Sequence, residues 1–355
     1  ESFVLLKNDA ATLPITPAVR SIALIGATAD SAQHDHSWWG PAGHTKPKTE
    51  TLRQALEARV RLGQKINYAS AFADPCGREF SDKATAIEAA KRSDVVIYNV
   101  IEDCDIQGEG VSRTKLELSG RQQELLDELA ETGKPIVLVV ETGRPLVLTK
   151  ADKQVSTILI AWHPGTEGRA ALAEVLLGDV SPSGKLPMTF PRSEGQIPIA
   201  YNALPTGRPW TGSRYTTGYV DEAHTPLYPF GHGLSYTTFA YDALVLSEPK
   251  MTIKGAIDVD VTVRNTGSRT GSEVVQLYTR QLVASRSRPV KELRAFEKMT
   301  LKPGEVRTLR FRLNAQDLGF HDDAGRYVVE AAPFKVFAGG SSETAVATDF
   351  LVTRD

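Results

Sequence analysis

The chain reads as two domains of different class: an α/β domain built on a mostly parallel sheet, followed by an all-β sandwich. Three observations carry that expectation. Short β-branched apolar runs alternate with helical patterns through residues 1–204. A stretch rich in Gly, Pro and aromatic residues follows at 205–240. Beyond it, over 241–355, the apolar period switches to strict alternation. A length of 355 residues has room for about two domains.

In the first domain the runs at 22–26, 66–70, 95–101, 136–141 and 158–162 are apolar nearly throughout, as in strands covered on both faces. Between them, 51–61, 84–91, 121–131 and 169–177 carry leucines and alanines at three- and four-residue spacing with charges opposite, the pattern of amphipathic helices. This βαβ punctuation predicts a parallel sheet with helices on both faces. The segments Pro205-Thr-Gly-Arg-Pro-Trp210 and Pro229-Phe-Gly-His-Gly-Leu-Ser235 predict a linker whose aromatics pack it down. In the last third, Ile257-Asp-Val-Asp-Val-Thr-Val-Arg264 and Val306-Arg-Thr-Leu-Arg-Phe-Arg-Leu313 alternate strictly. Together with runs at 273–278, 327–330 and 334–338, and turns at Asn265-Thr-Gly267 and Pro303-Gly304, they predict a small antiparallel sandwich.

Composition removes several classes of function. Hydrophobic residues at 41% and charged residues at 24% describe an ordinary globular chain, not a disordered one. With 41 Lys and Arg against 43 Asp and Glu, the net charge of −2 offers neither a nucleic-acid footprint nor a polybasic membrane surface. No apolar run approaches the ~20 residues of a membrane helix, and the chain opens at Glu1 without an apolar leader, so neither a span nor an export signal is expected within it. The absence of a P-loop, a dinucleotide fingerprint and a Gly-x-Ser-x-Gly elbow leaves nucleotide binding and serine hydrolysis without support. Two cysteines, Cys76 and Cys104, are too few for a disulfide scaffold. They follow the second and third predicted strands, so their loops leave the same sheet edge, and one bridge or two free thiols both stay open.

Chemistry concentrates in the loop Glu102-Asp-Cys-Asp-Ile-Gln-Gly-Glu-Gly-Val-Ser-Arg113, which leaves the carboxyl end of a predicted parallel strand, where ligands gather in open α/β sheets. Glu109 stands between Gly108 and Gly110, which free the backbone and leave its carboxylate unshielded. A solvated acidic loop is the plain alternative. Arg113 is expected to pair with an acid of its own loop. In the loop after the first predicted strand, Trp38 and Trp39 suit either the stacking of sugar rings or the anchoring of the loop. His34, His36 and His44 nearby would form a metal site only by converging with a carboxylate, and neither a metal nor a cofactor is expected. His163 follows a strand and reads as a packed residue or a cleft residue; Asp30 and Asp74 read as caps or turn residues.

Taken together, several motifs resemble glycoside hydrolase family 3, the β-glucosidase and β-xylosidase family, and in particular its bacterial periplasmic β-glucosidases. They are Glu1-Ser-Phe-Val-Leu-Leu-Lys-Asn8, Gly108-Glu-Gly-Val-Ser-Arg113, Gly143-Arg-Pro145, Ala161-Trp-His-Pro-Gly-Thr-Glu-Gly168, Gly178-Asp-Val-Ser-Pro-Ser-Gly-Lys-Leu-Pro187 and Pro229-Phe-Gly-His-Gly-Leu-Ser-Tyr-Thr-Thr-Phe239. Val263-Arg-Asn-Thr-Gly267, Glu273-Val-Val-Gln-Leu-Tyr278 and Pro303-Gly-Glu305 look like the family's fibronectin type III-like domain.

The resemblance implies an α/β sandwich and a fibronectin-like domain that follow a barrel lying outside this chain. It implies a retaining, exo-acting β-glycosidase whose nucleophilic aspartate is on that barrel and whose general acid/base is Glu109. Trp38 would border the aglycone side of the pocket; Trp39 stands where many relatives have a small residue. The chain would then be a C-terminal piece, or one of two chains, of a periplasmic or secreted enzyme acting on β-linked glycosides. A non-catalytic carbohydrate-binding module is the other class of reading, and glucose against xylose is left open.

Overall fold

A computed structural model of the chain describes residues 1–31, 49–102 and 106–354. It divides into two units, one of Glu1–Gly184 with Phe190–Ile197 and one of Lys185–Thr189 with Pro198–Asp355.

The first unit is built on a six-stranded sheet: β1 (Val4–Asn8), β2 (Ser21–Ile25), β3 (Lys65–Ala69), β4 (Val95–Ile101), β5 (Ile136–Glu141) and β6 (Thr157–Ile160), in the order β1-β6-β5-β4-β2-β3. All five predicted strands are present and pair in parallel. β1, which the apolar pattern alone did not mark, adds an antiparallel edge against β6. β4, β5 and β6 are buried at every position, as their nearly continuous apolar runs require, with Asn99, Glu141 and Thr157 the polar residues among them. Five helices connect the strands: α1 (Leu52–Arg59), α2 (Lys83–Lys91), α3 (Gln122–Glu131), α4 (Thr149–Gln154) and α5 (Gly168–Leu177). α1 packs on α5, whereas α2 packs on α3 and α3 on α4. Thr51 and Gln54 form a capping box at the start of α1. α5 stops at Gly178, whose left-handed backbone (φ 84°) lets its N–H reach the Glu174 carbonyl. α4 escaped sequence reading because its six residues bury only Ala151.

The second unit is a sandwich. Its five-stranded sheet runs in the order β11 (Glu292–Leu301), β10 (Gly271–Gln281), β15 (Ala332–Gly339), β16 (Ala347–Thr353), β8 (Lys250–Thr252). Its three-stranded sheet runs β12 (Val306–Asn314), β9 (Ala256–Asn265), β7 (Phe239–Leu246). A short hairpin of β13 (Phe320–His321) and β14 (Tyr327–Val328) completes it, so the strand expected over 327–330 is a two-residue piece.

The alternation of β9 and β12 does what period two dictates. Ile257, Val259 and Val261 stand opposite Leu313, Phe311 and Leu309 in the core, while Asp258 and Asp260 meet Arg312 and Arg310 on the outer face. Buried Asn265 organises the predicted turn: its Oδ1 accepts from the Thr237 hydroxyl and the Gly267 N–H, and its Nδ2 donates to the Arg269 and Leu301 carbonyls. The strands missed from sequence include β1, β7, β8 and β11, which are sheet edges, and β16, which lies between β15 and β8.

Residues 225–238 are tied down within this unit. Tyr228 is buried, Phe230 stacks on Tyr201 at 4.2 Å, and Gln276 Nε2 donates to the Gly231 carbonyl at 3.1 Å. Upstream the aromatics behave differently, with Trp210, Tyr215 and Tyr219 exposed.

Candidate active site

The parallel strands run outward from β2 in both directions, to β3 on one side and to β4, β5 and β6 on the other. The order therefore reverses between β2 and β4. Loops leaving the carboxyl ends of two strands at such a reversal diverge and open a crevice. The loop after β4 carries Glu109, and the loop after β2 carries, by sequence, Trp38 and Trp39. Both tryptophans, and His34, His36 and His44, lie outside the described residues, as do Asp103, Cys104 and Asp105.

Glu109 is exposed at the tip of its loop. Gly108 at φ 118° and Gly110 at φ 75° flank it in backbone conformations that side chains rarely adopt, and the Val111 N–H closes the turn on the Gly108 carbonyl. Nothing lies within 4 Å of the place a Gly110 Cβ would occupy, so that glycine serves conformation and not packing.

Glu102, at the root of the same loop, has the opposite environment and is only 1% exposed. Arg113 donates to its Oε1, Arg144 Nε lies 3.1 Å from the same oxygen, and the Thr142 hydroxyl donates to Oε2 at 2.6 Å. The pairing expected of Arg113 with an acid of its own loop is thus present. With both oxygens engaged, Glu102 is a structural anchor, and Glu109 is the loop carboxylate left open to a ligand among the described residues.

Beside Glu102 a second buried carboxylate ends β5. Glu141 accepts from Arg169 at 2.5 Å and from Asn99 Nδ2 at 2.8 Å, and Asn99 Oδ1 accepts from the Thr28 hydroxyl at 3.0 Å. Buried charges persist only when paired, and each of these has its guanidinium. The Gly143 backbone then passes close to two side chains: a Cβ there would sit 3.0 Å from His163 Nε2 and 3.2 Å from Gln107 Oε1, so Gly143 lets the loops after β4, β5 and β6 meet. His163 is half-buried in this meeting. Sequence reading singled out Glu109 and Arg113 but not the roles of Glu102, Thr142 and Arg144; the available signal was an acid placed directly after a largely apolar strand.

The remaining candidates are structural. Asp74 accepts from the backbone N–H groups of Cys76, Arg78 and Glu79, a turn residue. Asp30 accepts from the Thr51 hydroxyl and from Arg53. Cys76 is disulfide-bonded, so of the two alternatives left open, the bridge is the one that stands. No helix among the described residues is long and apolar enough to cross a membrane.

Comparison with known proteins agrees with this architecture. Residues 3–236 match the glycosyl hydrolase family 3 C-terminal domain, and residues 273–342 match a fibronectin type III-like domain. The chain is 42% identical to a periplasmic beta-glucosidase of Salmonella typhimurium over 96% of its own length and 47% of that protein's. It is 37% identical to a beta-xylosidase of Formosa agariphila, over 97% of this chain and 47% of the relative. Among solved structures, a beta-glucosidase from Listeria innocua in complex with isofagomine superposes with a TM-score of 0.90 at 34% identity, covering 99% of this chain and 48% of that one. The chain thus spans about half the length of these relatives. A sheet that ends in paired buried carboxylates, an exposed glutamate at its reversal point, a fibronectin-like sandwich after it and these matches lead to one conclusion: the chain belongs to glycosyl hydrolase family 3.

Proposed function

We propose that this chain supplies the general acid/base half of a retaining, exo-acting β-glycosidase, with terminal β-D-glucosyl residues as the first substrate class. The observation that carries the reading is the exposure of Glu109 on a glycine-flanked tip at the carboxyl end of β4, with its neighbour Glu102 locked away. Retaining hydrolysis needs two carboxyl groups about 5–5.5 Å apart. One attacks the anomeric carbon; the other protonates the leaving oxygen and then activates water. Glu109 takes the second role, and the nucleophile belongs to an N-terminal barrel in the half of the relatives' length that this chain does not span. By the family motif, Trp38 is the residue assigned to the leaving-group sugar, and Trp39 is a second substrate-binding candidate.

The name of the Salmonella relative supports a periplasmic setting, and an oxidising compartment suits the disulfide at Cys76. The β-xylosidase relatives support a second reading in which the sugar is xylose. The ratio of kcat/KM on aryl β-glucosides and aryl β-xylosides separates the two.

The deciding experiment uses the full-length protein. Glu109→Gln should lower kcat/KM on cellobiose-like substrates by about 10²–10⁴-fold, the usual contribution of acid catalysis. Activated aryl glycosides, whose departure needs little protonation, should suffer far less and regain turnover with azide. Ordinary activity of Glu109→Gln on cellobiose would remove Glu109 from the role, and robust turnover by the isolated 355-residue chain would remove the two-part account.

A further inference from the structure

Two features of the Glu109 loop pull against each other. The glycines at 108 and 110 let the carboxylate project, yet glycine also gives the tip more conformational freedom than any other residue would. Acid catalysis needs the opposite, a proton donor held at one place, because a displacement of about 1 Å can cost 10²-fold in rate.

We propose that Glu102, Arg113 and Arg144 form a clamp that positions Glu109, and that the clamp determines how well the enzyme handles poor leaving groups. This rests on the acid/base reading of Glu109. Glu102 and Arg113 are the two ends of the loop, and their ion pair closes it. Arg144, from the loop after β5, reaches both Glu102 and the middle of the Glu109 loop, where its NH2 group donates to the Ile106 carbonyl at 3.1 Å. Thr142 and the backbone bond from Glu102 N–H to the Glu141 carbonyl, at 2.8 Å, tie the assembly to the end of the sheet.

The loop is therefore fixed at its root, at Ile106 and at its exit, leaving a short glycine-bounded span free to carry the carboxylate. Because Glu102 is buried, it has no stable alternative without its guanidinium partners, and the arrangement is single-valued. These are positioning residues: none is asked to touch substrate.

The test is a leaving-group series in the full-length protein. Arg113→Gln should lower kcat/KM about 10- to 100-fold on cellobiose and alkyl glucosides, with little change on a dinitrophenyl glucoside. In the Glu109→Gln background the same substitution should add no further leaving-group-dependent loss, since the clamp acts only through Glu109. Equal losses on all leaving groups, or a full additional loss in that background, would overturn the clamp.

If Arg113→Gln does not fold by circular dichroism, Arg113→Lys and Arg144→Lys carry the same test, because they keep the charge and lose the guanidinium fork. If Glu109→Gln itself shows no leaving-group dependence, the acid/base reading fails and the clamp falls with it. A leaving-group effect for Glu109→Gln without one for Arg113→Gln or the lysine variants sinks the clamp alone.

Discussion

Two regions of the molecule, the carboxyl end of the α/β sheet and the β9–β12 ladder of the sandwich, place their charges in opposite ways. At the carboxyl end of the α/β sheet, Glu102 and Glu141 are buried and each is held by arginine. On the sandwich, Asp258 and Asp260 of β9 meet Arg312 and Arg310 of β12 on the open face of the ladder. The surface pairs follow directly from alternation: a period-two strand with apolar residues inward must send its polar residues outward, and opposite charges on paired strands then face one another. The buried pairs follow from no such rule, and their burial carries a desolvation cost that only good partnering offsets. In the α/β sheet the charge that is costly to place stands at the end where the candidate site is built.

The largest effect that would sharpen this contrast is expected at Arg169. Arg169→Met leaves Glu141 buried without its guanidinium and should cost about 3–5 kcal/mol in chemical denaturation. Adding Glu141→Gln removes the stranded charge while keeping an acceptor for Asn99, and should restore most of the loss. A double variant as unstable as the single one would mean that the pair contributes packing and not charge compensation.

An intermediate effect is expected at the opposite, amino-terminal end of the sheet. Exposed Asp94 accepts from the Arg20 N–H, the Ser21 hydroxyl and the Ser21 N–H, and these bonds, the backbone one from Arg20 foremost, hold its carboxyl below the usual aspartate range. A depressed folded value means that the stabilisation is present above the ordinary aspartate pKa of about 3.9 and is lost as the pH falls through the folded value. Asp94→Asn should therefore lower the melting midpoint at pH 7, and the gap from the parent should close in strongly acidic buffer. A gap independent of pH would assign the effect to side-chain shape.

The smallest effect belongs to the surface ladder. Arg310→Gln breaks an exposed pair with Asp260 and should leave the melting midpoint nearly unchanged, with whatever shift there is vanishing at high salt. A loss comparable to that of Arg169→Met would erase the distinction between the two kinds of pair.

Much of the fold is legible from residues alone. Val95–Ile101 and Ile136–Glu141 coincide with their runs because fully buried strands are apolar except where a polar residue is paired, as Asn99 is with Glu141. β11 is not legible in this way: as an edge strand it carries Arg294, Glu297 and Lys298 within its ten residues. The site divides similarly. Glu109 stands out because two glycines around one acid after a strand form a local pattern. Arg144 does not, because its partner Glu102 is distant in sequence and nothing near either residue names the other.

The sequence by itself determines the buried parallel strands, the period change between the two units, the glycine-flanked glutamate and the family motifs, since each depends on neighbouring residues and on which side of an element is apolar. Only the tertiary structure decides that β4 lies between β2 and β5. That order puts Glu109 at the reversal point of the sheet and brings Thr142 and Arg144 to Glu102. The reason is physical: a carboxylate can stay buried only where the chain folds a cation and a hydroxyl against it, and which distant segment provides them is set by strand order and register, quantities that no local stretch of sequence contains.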